Sequence, residues 1–204
     1  MTQDQIIKHA TQMFLVNGYK TTTMDDLAAD IGISKKTLYE FFGNKEGLIR
    51  LSLQLQFQEI STIFSETKSL NLNAVSEIQM IMMKIRSQFI TAQRFNSIRQ
   101  LQKYYAKIYN KVYLEQAIFI QNSIKENILK GQANGLYRSE VNADIFAEIL
   151  LEIQSYLRTN QQKALDINRI ESLSLLHFEL MIRGILTPTG LEEFMKFEIE
   201  NHEE

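Results

Sequence analysis

Lys35, Lys36, Thr37 and Tyr39 crowd ammonium, hydroxyl and phenol donors into one short run, and Lys45 lies a little further along the chain. Ammonium groups neutralise phosphates, while hydroxyls and phenols reach phosphate oxygens or the edges of bases. Leu38, Phe41 and Phe42 interleave these donors at helical spacing. One face is therefore expected to point inward, leaving Lys35, Lys36, Thr37, Tyr39 and Glu40 outward. In this reading Thr37 and Tyr39 contact base edges or phosphates, Lys35, Lys36 and Lys45 hold phosphates, and Thr22 and Thr23 add backbone contacts where the preceding helix starts.

Such a face acts only if its helix is held rigidly, and the preceding residues supply the support. Thr23 can cap a helix beginning near Met24, with Asp25 and Asp26 at its positive end. Leu27, Ala28 and Ile31 share one side, and Ala28 is small where a second helix must come close. Gly32 can adopt the left-handed turn that ends the helix, Ile33 plugs the angle, and Ser34 caps the second helix. Ala28, Gly32, Ile33 and Leu38 thus have the spacing of a helix-turn-helix. By itself the pattern also fits a plain helical hairpin with solvated lysines.

The flanks extend the pattern. From Ile7 to about Leu48 the chain resembles the TetR family of bacterial one-component transcription regulators. The resemblance rests on Ala10, Phe14 and Gly18-Tyr19 in an amphipathic first helix, then Thr21-Thr22-Thr23, Ile31-Gly32-Ile33-Ser34, Thr37-Leu38-Tyr39, Phe41-Phe42 and Lys45-Glu46. It implies an all-α protein: an N-terminal three-helix DNA-binding domain with a helix-turn-helix (residues 1–47) and a C-terminal helical bundle (48–204) that binds an effector and forms a homodimer. The function implied is that of a sequence-specific regulator, a repressor released from a palindromic operator by a small apolar or amphipathic effector. Control by a protein partner, with no working pocket, is the alternative. Lys36 stands where many members carry glycine or a small residue, so no operator sequence carries over from relatives.

Composition narrows the other possibilities. The 204 residues are 45% hydrophobic, enough for an ordinary core, and contain no cysteine, which removes thiol chemistry and cysteine-type zinc sites. His9, His177 and His202 lack ligand spacing, so no metal and no cofactor are expected. A glycine-rich phosphate loop, a nucleophile elbow and a helical histidine pair are all missing, so the protein is not expected to be an enzyme. The apolar runs are far shorter than the roughly 20 residues that span a bilayer. The amino terminus has no signal-like core, and a cytoplasmic protein without membrane contact is expected. Net charge is −2, and residues 1–50 hold six Lys or Arg against six Asp or Glu, so any affinity for DNA must come from distribution rather than total charge.

Helical spacing covers most of the chain. Helices are predicted over about 2–17, two within the motif, 45–67, 74–92, 95–108, 111–133, 142–160, 168–186 and 189–201. Met83, Phe89, Tyr104, Tyr105, Tyr109, Phe119 and Tyr156 each read singly as core, but together they suggest an apolar effector pocket with tyrosine hydroxyls to orient a guest. Ile149, Ile153, Tyr156, Leu173, Leu176 and Leu180 offer more apolar surface than two helices need for their own core, and are expected to form the dimer seam. Residues 84–138 carry ten basic side chains against two acidic, and residues 139–204 five against thirteen. Two solvated faces that attract each other, or an entrance for an anionic effector, both fit this split.

Overall fold

The computed structural model describes residues 1–89, 92–159 and 167–202. It is all-helical: α1 (Gln3–Asn17), α2 (Met24–Ile31), α3 (Lys35–Phe42), α4 (Lys45–Ser69), α5 (Ala74–Phe89), α6 (Ala92–Tyr104), α7 (Ala106–Ala133), α8 (Ala143–Thr159), α9 (Ile167–Arg183) and α10 (Pro188–His202). The predicted helices recur within a few residues, with one exception. The break expected at 109–110 falls instead at Tyr105, whose N–H still donates to the Leu101 carbonyl (2.8 Å) while its own carbonyl accepts from Tyr109 (3.0 Å). Asn110, without a glycine or proline beside it, does not stop a helix.

The chain forms two compact units. The first comprises Met1–Ile60 and Thr91–Gln116. Its core gathers Ile6, Ala10, Phe14, Tyr19, Leu27, Leu38, Phe42, Leu48, Ile49 and Leu101. Phe14 and Tyr19 stack with ring centroids 4.9 Å apart. This compact unit reaches past residue 47 and takes in α6. Leu101 is fully buried in the core, Ser97 Oγ donates to the Leu15 carbonyl (3.4 Å), and Gln100 Oε1 accepts from the Lys20 N–H (3.1 Å).

The second unit comprises Ser61–Ile90 and Ala117–Glu204. Val75, Ile78, Ile128, Phe146, Leu150 and Ile182 are among the residues that fill its core. Tyr137 is buried at the centre, its one phenol hydrogen shared between the Ala74 carbonyl and Asn127 Oδ1, both at 3.1 Å, and burial pushes its pKa far up. A Cβ on Gly131 would lie 2.0 Å from the Tyr137 ring, so this glycine is what lets the ring lie against α7. The turn after α7 then pairs Arg138 N–H with the Ile185 carbonyl (2.8 Å) and Thr187 N–H with the Leu136 carbonyl (3.0 Å).

Candidate nucleic-acid interface

The α2–α3 corner is built as its residues predict. Thr23 Oγ1 accepts from the Asp26 N–H (3.1 Å), and the Asp26 carboxylate accepts from the Thr23 N–H (2.9 Å), closing a reciprocal cap. That backbone bond, with one from the Thr23 hydroxyl, holds the Asp26 carboxyl below the usual range. Gly32 takes φ +75°, and the N–H groups of Gly32 and Ile33 both donate to the Ala28 carbonyl at 3.0 Å. Ser34 Oγ accepts from the Thr37 N–H (3.0 Å) and starts α3.

The corner's core contacts decide what α3 presents. Leu38 is fully buried and Phe42 nearly so, whereas the Lys36 side chain is 86% exposed and Tyr39 41% exposed. Phe41, expected inward, is 43% exposed with its ring edge-on to Phe42. Leu38 and Phe42 are four residues apart and share the inner face, which leaves Phe41 at its rim.

This helix pair, with α1 packed over it, coincides with a known pattern: residues 6–51 match the bacterial regulatory proteins of the tetR family. Residues 6–51 thus carry the amino-terminal domain of the tetR family of bacterial regulatory proteins. Over 52 residues it is 38% identical to the biofilm operon icaADBC HTH-type negative transcriptional regulator IcaR of Staphylococcus epidermidis. That likeness spans 26% of this chain and only 28% of the relative's length. Two crystal structures share the fold along nearly the whole chain. A transcriptional regulator from Cytophaga hutchinsonii superposes with TM-score 0.74 at 17% identity, covering 90% of this chain and 98% of that one. A gamma-butyrolactone receptor, an ArpA-like protein, gives TM-score 0.71 at 15% identity, covering 97% and 94%.

The other expected DNA contacts are placed unevenly. Thr37 and Thr23 lie at the amino ends of α3 and α2, the Thr37 hydroxyl 2.8 Å from that of Ser34. Thr22 is a correction: it is buried, and its hydroxyl donates to the Gly18 carbonyl at 2.9 Å, so it braces the turn and has no free donor for a phosphate. The Lys35 ammonium pairs with Asp25 (2.7 Å), a hydrogen bond and attraction that raise its pKa. Lys36 reaches Glu40 only loosely (3.8 Å). Lys45 is half-buried, donates to the Lys20 carbonyl (3.1 Å) and lies over the Tyr105 ring, with burial lowering its pKa.

The seven residues expected around an effector are not gathered as predicted. Tyr104, Tyr105 and Tyr109 belong to the first unit, where Tyr105 and Tyr109 pack against its core. Met83 and Tyr156 are exposed, and the Phe89 side chain lies outside the described residues. Of those among the seven whose side chains are described, Phe119 alone borders a cavity of about 590 Å³ in the second unit, with Phe64, Ile81, Lys68, Asn122 and Glu126. Its rings Phe64 and Phe119 meet edge to face at 5.7 Å. The polar side of that cavity was missed in the sequence. Glu77, Asn127 and Lys130 are scattered across α5 and α7, and nothing in their spacing joins them until the helices pack.

Of the residues expected at a dimer seam, Ile149, Ile153, Tyr156, Leu176 and Leu180 are exposed and Leu173 is partly covered. Among the described residues no group of His, Asp or Glu is arranged to hold a metal, and no helix is long and apolar enough to cross a membrane.

Proposed function

We propose that the protein is a cytoplasmic, homodimeric, sequence-specific DNA-binding regulator that represses from a palindromic operator until a small effector binds. The reading is carried by α3, whose apolar side is locked into the core while Lys36 and Tyr39 face solvent and Thr37 is partly exposed beside them. Paired recognition helices about 34–36 Å apart would enter successive major grooves. In the double helix Thr37 and Tyr39 contact base edges or phosphates, and Lys35, Lys36 and Lys45 hold the backbone; Lys35 first releases Asp25. Homodimerisation is supported by the exposed apolar rows on α8 and α9.

An amphipathic effector suits the cavity beside Phe119, where aromatic rings face Lys68, Asn122 and Glu126. By favouring a dimer whose recognition helices are wrongly spaced, it would draw the population off DNA. A fluorescent apolar dye that brightens with the wild type but not with Phe119→Trp supports this site; equal response from both refutes it.

Selection of bound fragments from a random DNA pool tests the DNA reading itself. The expected product is a palindrome with half-sites one helical turn apart. Recovery of no enriched sequence would contradict it.

A further inference from the structure

Tyr104, at the end of α6, gathers two ammonium groups onto one exposed ring. Lys20 Nζ lies 4.5 Å from the ring centroid and Lys103 Nζ 5.3 Å. Lys20 Nζ also reaches the phenol oxygen at 3.5 Å. Hydrogen bonds from Lys20 and then Lys103 hold this phenol below its usual pKa. Beyond the break at Tyr105, Lys107 and Lys111 are exposed on α7, one four-residue helical step of about 6 Å apart. Among the described residues, none of these four lysines forms an ion pair with a carboxylate.

Solvated lysines ordinarily splay apart or find an acid, since like charges repel. Convergence of two on one ring leaves a concentrated positive charge that an anion would relieve. The patch also adjoins the proposed DNA-contacting surface: the Lys45 ammonium, at the start of α4, donates to the backbone carbonyl of Lys20 (3.1 Å). Charge follows the same division. Residues 1–50 are balanced, but residues 91–116, packed into the same unit through α6, bring five basic side chains and one acidic. An exposed row with no enclosing wall suits an extended polyanion, whereas a small anion is normally held in a concave site.

The geometry points to a second, sequence-independent DNA contact, in which Lys20 and Lys103, grouped about Tyr104, and Lys107 in the first turn of α7 grip phosphates flanking the half-site beneath α3. It rests on the proposed DNA-binding reading and adds a contact outside the helix-turn-helix. The lysines hold backbone phosphates and read no bases, so they lengthen the footprint without altering sequence preference.

The test compares the full-length wild type with the triple variant Lys20→Gln, Lys103→Gln, Lys107→Gln on two duplexes. Both carry the palindrome selected from the random pool; one ends at the half-sites and the other extends ten base pairs further on each side. Affinity is measured by fluorescence anisotropy across a salt series. The wild type is expected to bind the longer duplex several-fold more tightly. The variant should lose that gain, with its salt slope reduced by about one for each phosphate contact removed, and should match the wild type on the short duplex. The inference is overturned if the wild type gains nothing from the flanks, if the variant keeps wild-type affinity and slope on the long duplex, or if both duplexes weaken equally. Wild-type protein that binds neither duplex would sink the DNA-binding reading along with it, which separates the two failures.

Discussion

Glu77 and Lys130 form an ion pair at 2.6 Å, with the Glu77 side chain only 9% exposed. Glu77 is in the first turn of α5 and Lys130 in the last turn of α7, so each charge also meets the favourable end of its own helix. Asn127 donates to the same carboxylate at 3.0 Å and to the Ala74 carbonyl at 2.9 Å, and the Lys130 ammonium donates to the Leu72 carbonyl at 2.7 Å. The pair therefore ties the start of α5 to α7 beside the cavity.

Removing one member strands the other. Glu77→Ala should lower stability by about 3 kcal/mol, read as a fall in the urea midpoint with little change in slope. Loss of less than about 1 kcal/mol would show that the network contributes little beyond its packing.

The α8 and α9 rows are the surface that two copies of the chain would share. Ile149, Ile153 and Tyr156 recur at helical spacing on α8, and Leu176 and Leu180 on α9, all substantially exposed. An Ile153→Glu, Leu180→Glu double variant should sediment as a monomer with an unchanged far-ultraviolet circular dichroism spectrum. A dimer that persists at the same concentration would place the seam elsewhere.

His177 gives the second unit an acid-sensitive point. Gln154 Nε2 lies 3.3 Å from the His177 Nδ1, while the His177 Nε2 is buried without a hydrogen-bond partner among the described residues. Burial lowers its pKa below the ordinary 6.5, so the folded protein holds this ring neutral. As pH falls below about 6.5 the unfolded chain takes up the proton first. The stability present above that pH is therefore lost progressively as pH drops through the depressed folded value. His177→Gln should flatten this part of the stability profile measured by urea unfolding; an identical acid slope would exclude His177 as its source.

The helix-turn-helix was legible because its signals are local. Thr23, Gly32, Ser34, Leu38 and Phe42 each act within a few residues, through caps, a left-handed turn and a four-residue step. Phe41 was misplaced because periodicity cannot resolve the rim of a narrow buried face. Thr22 was misread for a related reason: a threonine before a helix can either face solvent or turn back on the chain, and here it bonds to Gly18. The membership of α6 in the first unit, and the meeting of Glu77, Asn127 and Lys130, depend on contacts spanning about fifty to eighty residues. No spacing rule reaches so far, and aromatic residues that looked like one cluster in the sequence are divided between the two units.

Tyr39 tests the central claim most directly, because it is exposed on α3 beside the fully buried Leu38. Tyr39→Ala removes a phenol from the outer face and leaves the buried Leu38 and Phe42 in place, so the circular dichroism spectrum and melting curve should stay as in the wild type. Affinity for the selected palindrome should fall at least tenfold, equivalent to about 1.4 kcal/mol. Full retention of wild-type affinity by a folded Tyr39→Ala protein would contradict the placement of α3 against DNA.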